Sequence, residues 1–248
     1  MYNYGYRDYV PQTARFTTID PIRDGSNWFA YCNNEPVNFQ DLWGLECVSD
    51  NGFDYSRGGN PHAQEVMEAA LDTLKKTASG TESPLNQHVN TGALAGAMSN
   101  NLGYLDSQTQ AYYSGMPESV RKSAIKEQLD NQTVITGVSR DEASRASLAM
   151  GMVLDPSGGD AFSVGTTIFV FDTGTPDSET VGHEGVHGVQ ANAAGSTIEF
   201  LERYNDASRA AGSNPYYGNE YEKAAYSFGP YNSQAETNLS DGYSYVQY

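Results

Sequence analysis

The segment Val181-Gly182-His183-Glu184-Gly185-Val186-His187 carries the clearest chemical meaning in this 248-residue chain. His183 and His187 are four positions apart, so on a helix they share one face, a turn from each other. Two imidazoles so placed reach a single metal ion at about 2.0–2.1 Å. Glu184 follows the first histidine and points beside the metal rather than at it. A zinc ion there lowers the pKa of water to roughly 7, and an adjacent carboxylate takes the proton during attack on a carbonyl. The spacing predicts one zinc held by His183 and His187, with Glu184 as general base. Of four histidines in the chain, two stand at the ends of this segment. A surface helix with two solvated histidines is the competing reading.

A catalytic zinc usually takes three protein ligands and keeps one position open. No histidine follows His187, and Gln190 and Ala193 stand where an H-x-x-G-x-x-H continuation would need Gly and His. A carboxylate is expected instead, from Glu199, Glu202, Asp206, Glu220, Glu222 or Glu236. Glu222 is the first choice, because N-E-Y-E-K-A-A-Y contains E-x-x-A on a short helix and Ala225 permits close approach; Glu220 is the second. Glu222 also lies three residues after Asn219, where closing a capping box would account for it. His62 and His88 read as structural or solvated, or else as unconventional ligands. Tyr216, Tyr217, Tyr221 and Tyr226 lie near the third ligand, and a hydroxyl among them would stabilise an oxyanion.

These residues need a scaffold. The run Thr166–Asp172, TTIFVFD, is β-branched and aromatic and predicts a strand buried on both faces. After a turn at Gly174–Pro176, Asp177 or Ser178 caps the helix bearing the two histidines. Ser196 with Glu199 is a capping-box pattern opening a helix that Gly212 closes, and Asn219 caps a last helix through Phe228. Upstream, Asn60 and Pro61 open a helix whose stripe is Val66, Met67, Ala70, Leu71, Leu74 and Ala78. A helix is expected over 117–130, a strand over 133–138, and a helix capped by Ser139 with Glu142 to about Met150. Residues 80–115 show no clear assignment. Gly182, Gly185 and Gly188 repeat every third position, each costing about 1 kcal/mol against Ala. The expectation is a neighbouring backbone packed on that stripe, with metal ligation helping to order the helix.

Residues 1–45 are crowded with aromatics and turn residues and predict short strands; 46–60 read as a linker, 61–229 as the main domain and 230–248 as a polar tail. The fold class is α+β, mostly helical with a small sheet. Hydrophobic residues make up 38% and charged residues 18%, a composition suited to a packed core with many loops. A formal charge of −17 repels phosphate backbones, so a nucleic-acid partner is not expected. No run is long enough to span a membrane, and no signal peptide is visible. Cys32 and Cys47 are the only cysteines and are expected free in a reducing compartment, with a disulfide outside one.

The HEGVH helix with its later E-x-x-A helix resembles the zincin metallopeptidases of the thermolysin-like branch, over about 60 residues from Thr166 to Phe228. The resemblance implies a metalloendopeptidase in which His183, His187 and Glu222 bind zinc, Glu184 is the base, and Ile168 to Phe171 pair with extended substrate. The run from Ala14 to Leu45, A-R-F-T-T-I-D-P-I-R-D-G-S-N-W-F-A-Y-C-N-N-E-P-V-N-F-Q-D-L-W-G-L, resembles the C-terminal end of the Rhs repeat-associated core. That core ends at D-P-x-G-L, here Asp41-Leu42-Trp43-Gly44-Leu45 with Leu in place of Pro, and Asp20 and Asp41 match its acidic positions. The resemblance implies cleavage after Leu45, a toxin or effector payload delivered to a target cell, a protein or peptide substrate, and a cognate immunity protein. Rival readings are a zinc amidase acting on cell-wall peptide, and a non-catalytic Rhs-derived binding module with a degenerate, metal-free site.

Overall fold

The computed structural model describes residues 1–3, 7–19, 27–32, 39–41, 47–49, 63–154, 156, 159–171 and 176–228. Within them the chain is mixed α+β and rich in helix. The helices are α1 (Ala63–Thr77), α2 (Thr91–Asn100), α3 (Ser107–Ser114), α4 (Glu118–Asp130), α5 (Arg140–Ala149), α6 (Ser178–Ala194), α7 (Thr197–Ala210) and α8 (Glu220–Phe228). The strands are β1 (Tyr2–Asn3), β2 (Asp8–Val10), β3 (Arg15–Phe16), β4 (Phe39–Asp41), β5 (Cys47–Ser49), β6 (Glu82–Pro84), β7 (Thr133–Val138), β8 (Ala161–Val164) and β9 (Thr167–Phe171). No helix of the described residues is long and apolar enough to cross a membrane.

The chain separates into two compact units. One comprises Met1–Thr77 and Ser139–Ser157, the other Ala78–Val138 and Gly158–Tyr248. In the first, β1, β2 and β3 form an antiparallel sheet, with Tyr9 opposite both Tyr2 and Phe16. Phe16, Tyr31 and Cys32 are buried together with Tyr9 against them, and the Arg7 guanidinium lies 3.8 Å over the Phe16 ring. β4 and β5 pair antiparallel, and α1 packs on α5. The expectation of free cysteines is corrected: Cys32 is disulfide-bonded. The Asn60–Pro61 helix start, His62, Asp20, Leu42–Leu45 with its expected cleavage point, Glu236 and the tail lie outside the described residues.

The second unit is built on a four-stranded sheet of order β6-β7-β9-β8, with β7 and β9 parallel and the outer strands antiparallel to them. All five residues of β9 are buried, as its β-branched and aromatic run requires when both neighbours are strands and both faces are covered. The main core runs through Leu85, Leu94, Met98, Ile125, Leu129, Ile168, Val186 and Phe228. Helix α6 crosses this core, packing on α3, α4, α7, α8, β8 and β9.

The caps that open α6, α7 and α8 follow from side chains that accept orphan N–H groups. Asp177 accepts from the Thr180 amide, Ser196 from the Glu199 amide and Asn219 from the Tyr221 amide. Ser139 stands at the start of α5 but its side chain makes no capping bond. Gly195 ends α6 at φ +101°, a conformation that side chains with a Cβ rarely adopt. Beyond the expected elements, the structure adds α2, α3, β6 and β8.

Gly185 and Gly188 of the α6 stripe are met by side chains rather than by a neighbouring backbone. A Cβ on Gly185 would lie 3.0 Å from Leu85 Cδ2, and one on Gly188 would lie 2.4 Å from Gln132 Nε2. Gln132 is buried and its Nε2 donates to the Gly185 carbonyl at 2.9 Å. The glycines thus admit an amide that bonds to the helix backbone itself.

Candidate metal centre

His183 and His187 project from adjacent turns of α6, with ring centroids 5.0 Å apart and planes nearly perpendicular. Glu222, on the first turn of α8, meets both. Its Oε2 is 3.2 Å from His183 Nε2 and its Oε1 is 3.3 Å from His187 Nε2. All three residues are buried, and one ligand atom from each lies within 4.8 Å of the others. Of the other carboxylates, Glu220 accepts from the Ser107 amide and Glu199 belongs to the start of α7. His88 is bonded to Ser83 through Nε2, with its pKa lowered by burial, and is not part of the group.

Glu222 does not close the capping box that its spacing from Asn219 also allowed. Asn219 caps α8 through Tyr221, and its Nδ2 donates to the Tyr204 carbonyl and to Ser208 Oγ, tying α8 to α7. That clamp sets the first turn of α8 over α6 and leaves the Glu222 carboxylate turned to the two imidazoles.

The donor set fits a metal ion. Atoms about 2.0–2.1 Å from one tetrahedral zinc stand about 3.3–3.4 Å from one another, close to the two histidine–carboxylate spacings found here. Both His183 ring nitrogens and Glu222 Oε2 are buried without a hydrogen-bond partner among the described residues. Orphaned buried groups of this kind are costly, and a cation between His183 Nε2 and Glu222 Oε2 satisfies two of them. The electrostatics agree. Burial works against a charge on His187, but the Glu222 carboxylate outweighs it and holds the imidazole up to about 9. Burial likewise opposes charge on Glu222, yet the histidines keep its pKa well below the ordinary carboxylate range. The pocket is arranged to favour positive charge at the point where the three side chains meet.

Two partners orient these ligands, and neither was singled out from the sequence. Tyr204 of α7 donates its hydroxyl to Glu222 Oε1 at 2.5 Å. Gln190 Oε1 lies 2.6 Å from His187 Nδ1. Glu184 is buried beside the group and accepts a 2.8 Å hydrogen bond from Ser163 Oγ on β8. Its charge reaches His187, Tyr204, Tyr216 and Tyr226.

Of the four tyrosines flagged, Tyr226 and Tyr216 reach the group. The Tyr226 ring is 4.4 Å from that of His183, and its hydroxyl is 3.1 Å from that of Tyr216. Burial, then Glu222, pushes the Tyr216 phenol far above its usual range. Tyr217 stacks on Tyr226 and is largely exposed, whereas Tyr221 packs on Phe200 and Tyr204.

The expectation that Ile168 to Phe171 pair with extended substrate is corrected by the sheet order. β9 is hydrogen-bonded on both sides, to β7 and to β8, and has no free edge. β8 is the edge strand beside α6. Compared with protein-family models, with curated proteins and with solved structures, the chain matches none.

Proposed function

We propose that the second unit is a zinc-dependent endopeptidase of zincin type, with His183, His187 and Glu222 as ligands and Glu184 as general base. The observation that carries this reading is the convergence of two imidazole Nε2 atoms and one carboxylate on a single buried point, with a second carboxylate alongside. Zinc bound there supplies Lewis acidity, polarising a carbonyl and acidifying water. The chain's own residues do the rest. Glu184, steadied by Ser163, accepts the proton of the attacking water and passes it to the leaving amine. Tyr216 or Tyr226 donates a hydrogen bond to the developing oxyanion. The outer edge of β8, unpaired among the described residues and next to Glu184, offers backbone groups to an extended peptide.

The likeness of residues 1–45 to the Rhs core end extends the proposal: the peptidase is the payload of an Rhs-type toxin, delivered to a target cell, with a protein substrate there and a cognate immunity protein at home.

The test joins elemental analysis of the purified chain to an assay on a protein library. One zinc per chain is expected, with hydrolysis that chelator abolishes. Glu184→Gln should keep the zinc and lose at least about a hundredfold in rate. A chain that takes up no metal leaves only the binding-module reading. A zinc-loaded chain that cleaves isolated peptidoglycan but no protein is the amidase, and an active Glu184→Gln removes Glu184 from its role.

A further inference from the structure

We infer that Gln190 is a positioning residue: one buried amide fixes which nitrogen of His187 faces the metal and moors the helix that supplies Glu222. This rests on the metal-site reading above and adds to it a residue whose type and place did not mark it for chemistry.

Gln190 lies three residues after His187 on α6 and is fully buried. Its two ends meet different partners. Nε2 donates to the Tyr221 carbonyl of α8 at 3.1 Å. Only the NH₂ end can donate to a carbonyl, so the amide has one permitted orientation and its oxygen must face His187. Asp106, at the start of α3, places its buried carboxyl near the same amide.

The consequence falls on the imidazole. Gln190 Oε1 is 2.6 Å from His187 Nδ1, and an amide oxygen accepts but cannot donate. Nδ1 must therefore carry the proton, which leaves the Nε2 lone pair directed at the point shared with Glu222. Selection of the ligand tautomer by the hydrogen bond at the other ring nitrogen is the usual task of an outer partner in a metal site.

The same amide serves the third ligand. Tyr221 immediately precedes Glu222, so the bond to its carbonyl holds the first turn of α8 against α6. A single side chain thus sets a ligand on each of two helices. Among the described residues His183 has no counterpart, both of its ring nitrogens being without a hydrogen-bond partner. Control of ligand orientation is concentrated on the His187 side.

The experiment uses the full chain and measures zinc affinity by competition with a chromogenic chelator, together with the long-range nitrogen–proton NMR spectrum of the histidine rings. Wild type, Gln190→Leu and Gln190→Glu are compared. The expected result for Gln190→Leu is zinc affinity weaker by about ten- to a hundredfold, with loss of the slowly exchanging His187 Nδ1 proton. Gln190→Glu keeps an acceptor for Nδ1 and loses the donor to Tyr221, so it should retain the Nδ1 signal while amide exchange over Glu220–Phe228 accelerates. That split is one that a merely space-filling role would not produce, and it can be read from Gln190→Glu if Gln190→Leu fails to fold. Zinc affinity within threefold of wild type and an unchanged Nδ1 signal in Gln190→Leu, or no difference in exchange in Gln190→Glu, overturns the inference while the zinc site stands. A wild-type chain that binds no zinc overturns both.

Discussion

The Tyr204 hydroxyl donates to Glu222 Oε1, so a residue of α7 holds the carboxylate that α8 offers to the two histidines. The bond is buried, and one partner is ionised, the kind of hydrogen bond worth about 1.5–3 kcal/mol. Tyr204→Phe should lower stability by about 1–2 kcal/mol in denaturant melts and weaken zinc binding several-fold. An unchanged affinity would show that Glu222 is held by its backbone alone.

Ser163→Ala separates the base from the ligands. Ser163 touches Glu184 and none of the three proposed ligands' carboxylate or ring atoms by hydrogen bond. Zinc content should stay at one per chain, and kcat on a peptide substrate should fall about ten- to a hundredfold, with KM changed less. A fall in zinc content would mean that β8 supports the metal as well as the base.

The pH dependence of the metal-free protein has a definite sign. The His187 pKa is held up to about 9 against an ordinary 6.5. A raised pKa means that the His187–Glu222 pair contributes fully below about pH 6.5 and that the contribution is lost as pH rises through about 9. Chelated protein should therefore melt at progressively lower temperature from pH 6.5 to 9. With zinc bound the proton is displaced, so the loaded protein should not share that decline, and zinc affinity should rise over the same interval. Equal pH profiles with and without chelator would rule out His187 as a ligand.

Gly188→Ala sets two effects against each other. Alanine favours a helix over glycine by about 1 kcal/mol, but its Cβ would meet Gln132 Nε2 at 2.4 Å. Moving that buried amide costs its bond to Gly185, about 1–3 kcal/mol. The substitution should destabilise the wild type by about 1 kcal/mol and stabilise the Gln132→Ala background, where the amide is gone. A double-mutant cycle by urea melts measures the difference.

Much of the second unit can be read along the chain because its signals are local. Asp177, Ser196 and Asn219 each cap a helix through a hydrogen bond from an amide two or three residues ahead, and the β9 run is β-branched or aromatic throughout. The histidine pair is likewise a matter of four residues. What escapes is local weakness or distant contact. Helix α2, TGALAGAMSN, is nearly all small and mostly buried, so it lacks a polar face to mark a period. Helix α3 is nearly uniformly polar. Strand β8 is four residues long and follows glycines. Ser163 meets Glu184 from 21 residues away and Tyr204 meets Glu222 from 18. Gln190 is near His187 in sequence, but its second anchor, Tyr221, is 31 residues on. Among six candidate carboxylates the E-x-x-A pattern favours Glu222, and the packing of α8 on α6 sets it against both imidazoles.

The Asn219 side chain grips Tyr204 and Ser208 while opening α8. Helices α7 and α8 are thereby tied together, and a slip of either alone would break that clamp. A fragment ending before Asn219 would keep both imidazoles and lose the anion that completes their charge, so the centre is born only when α8 folds home.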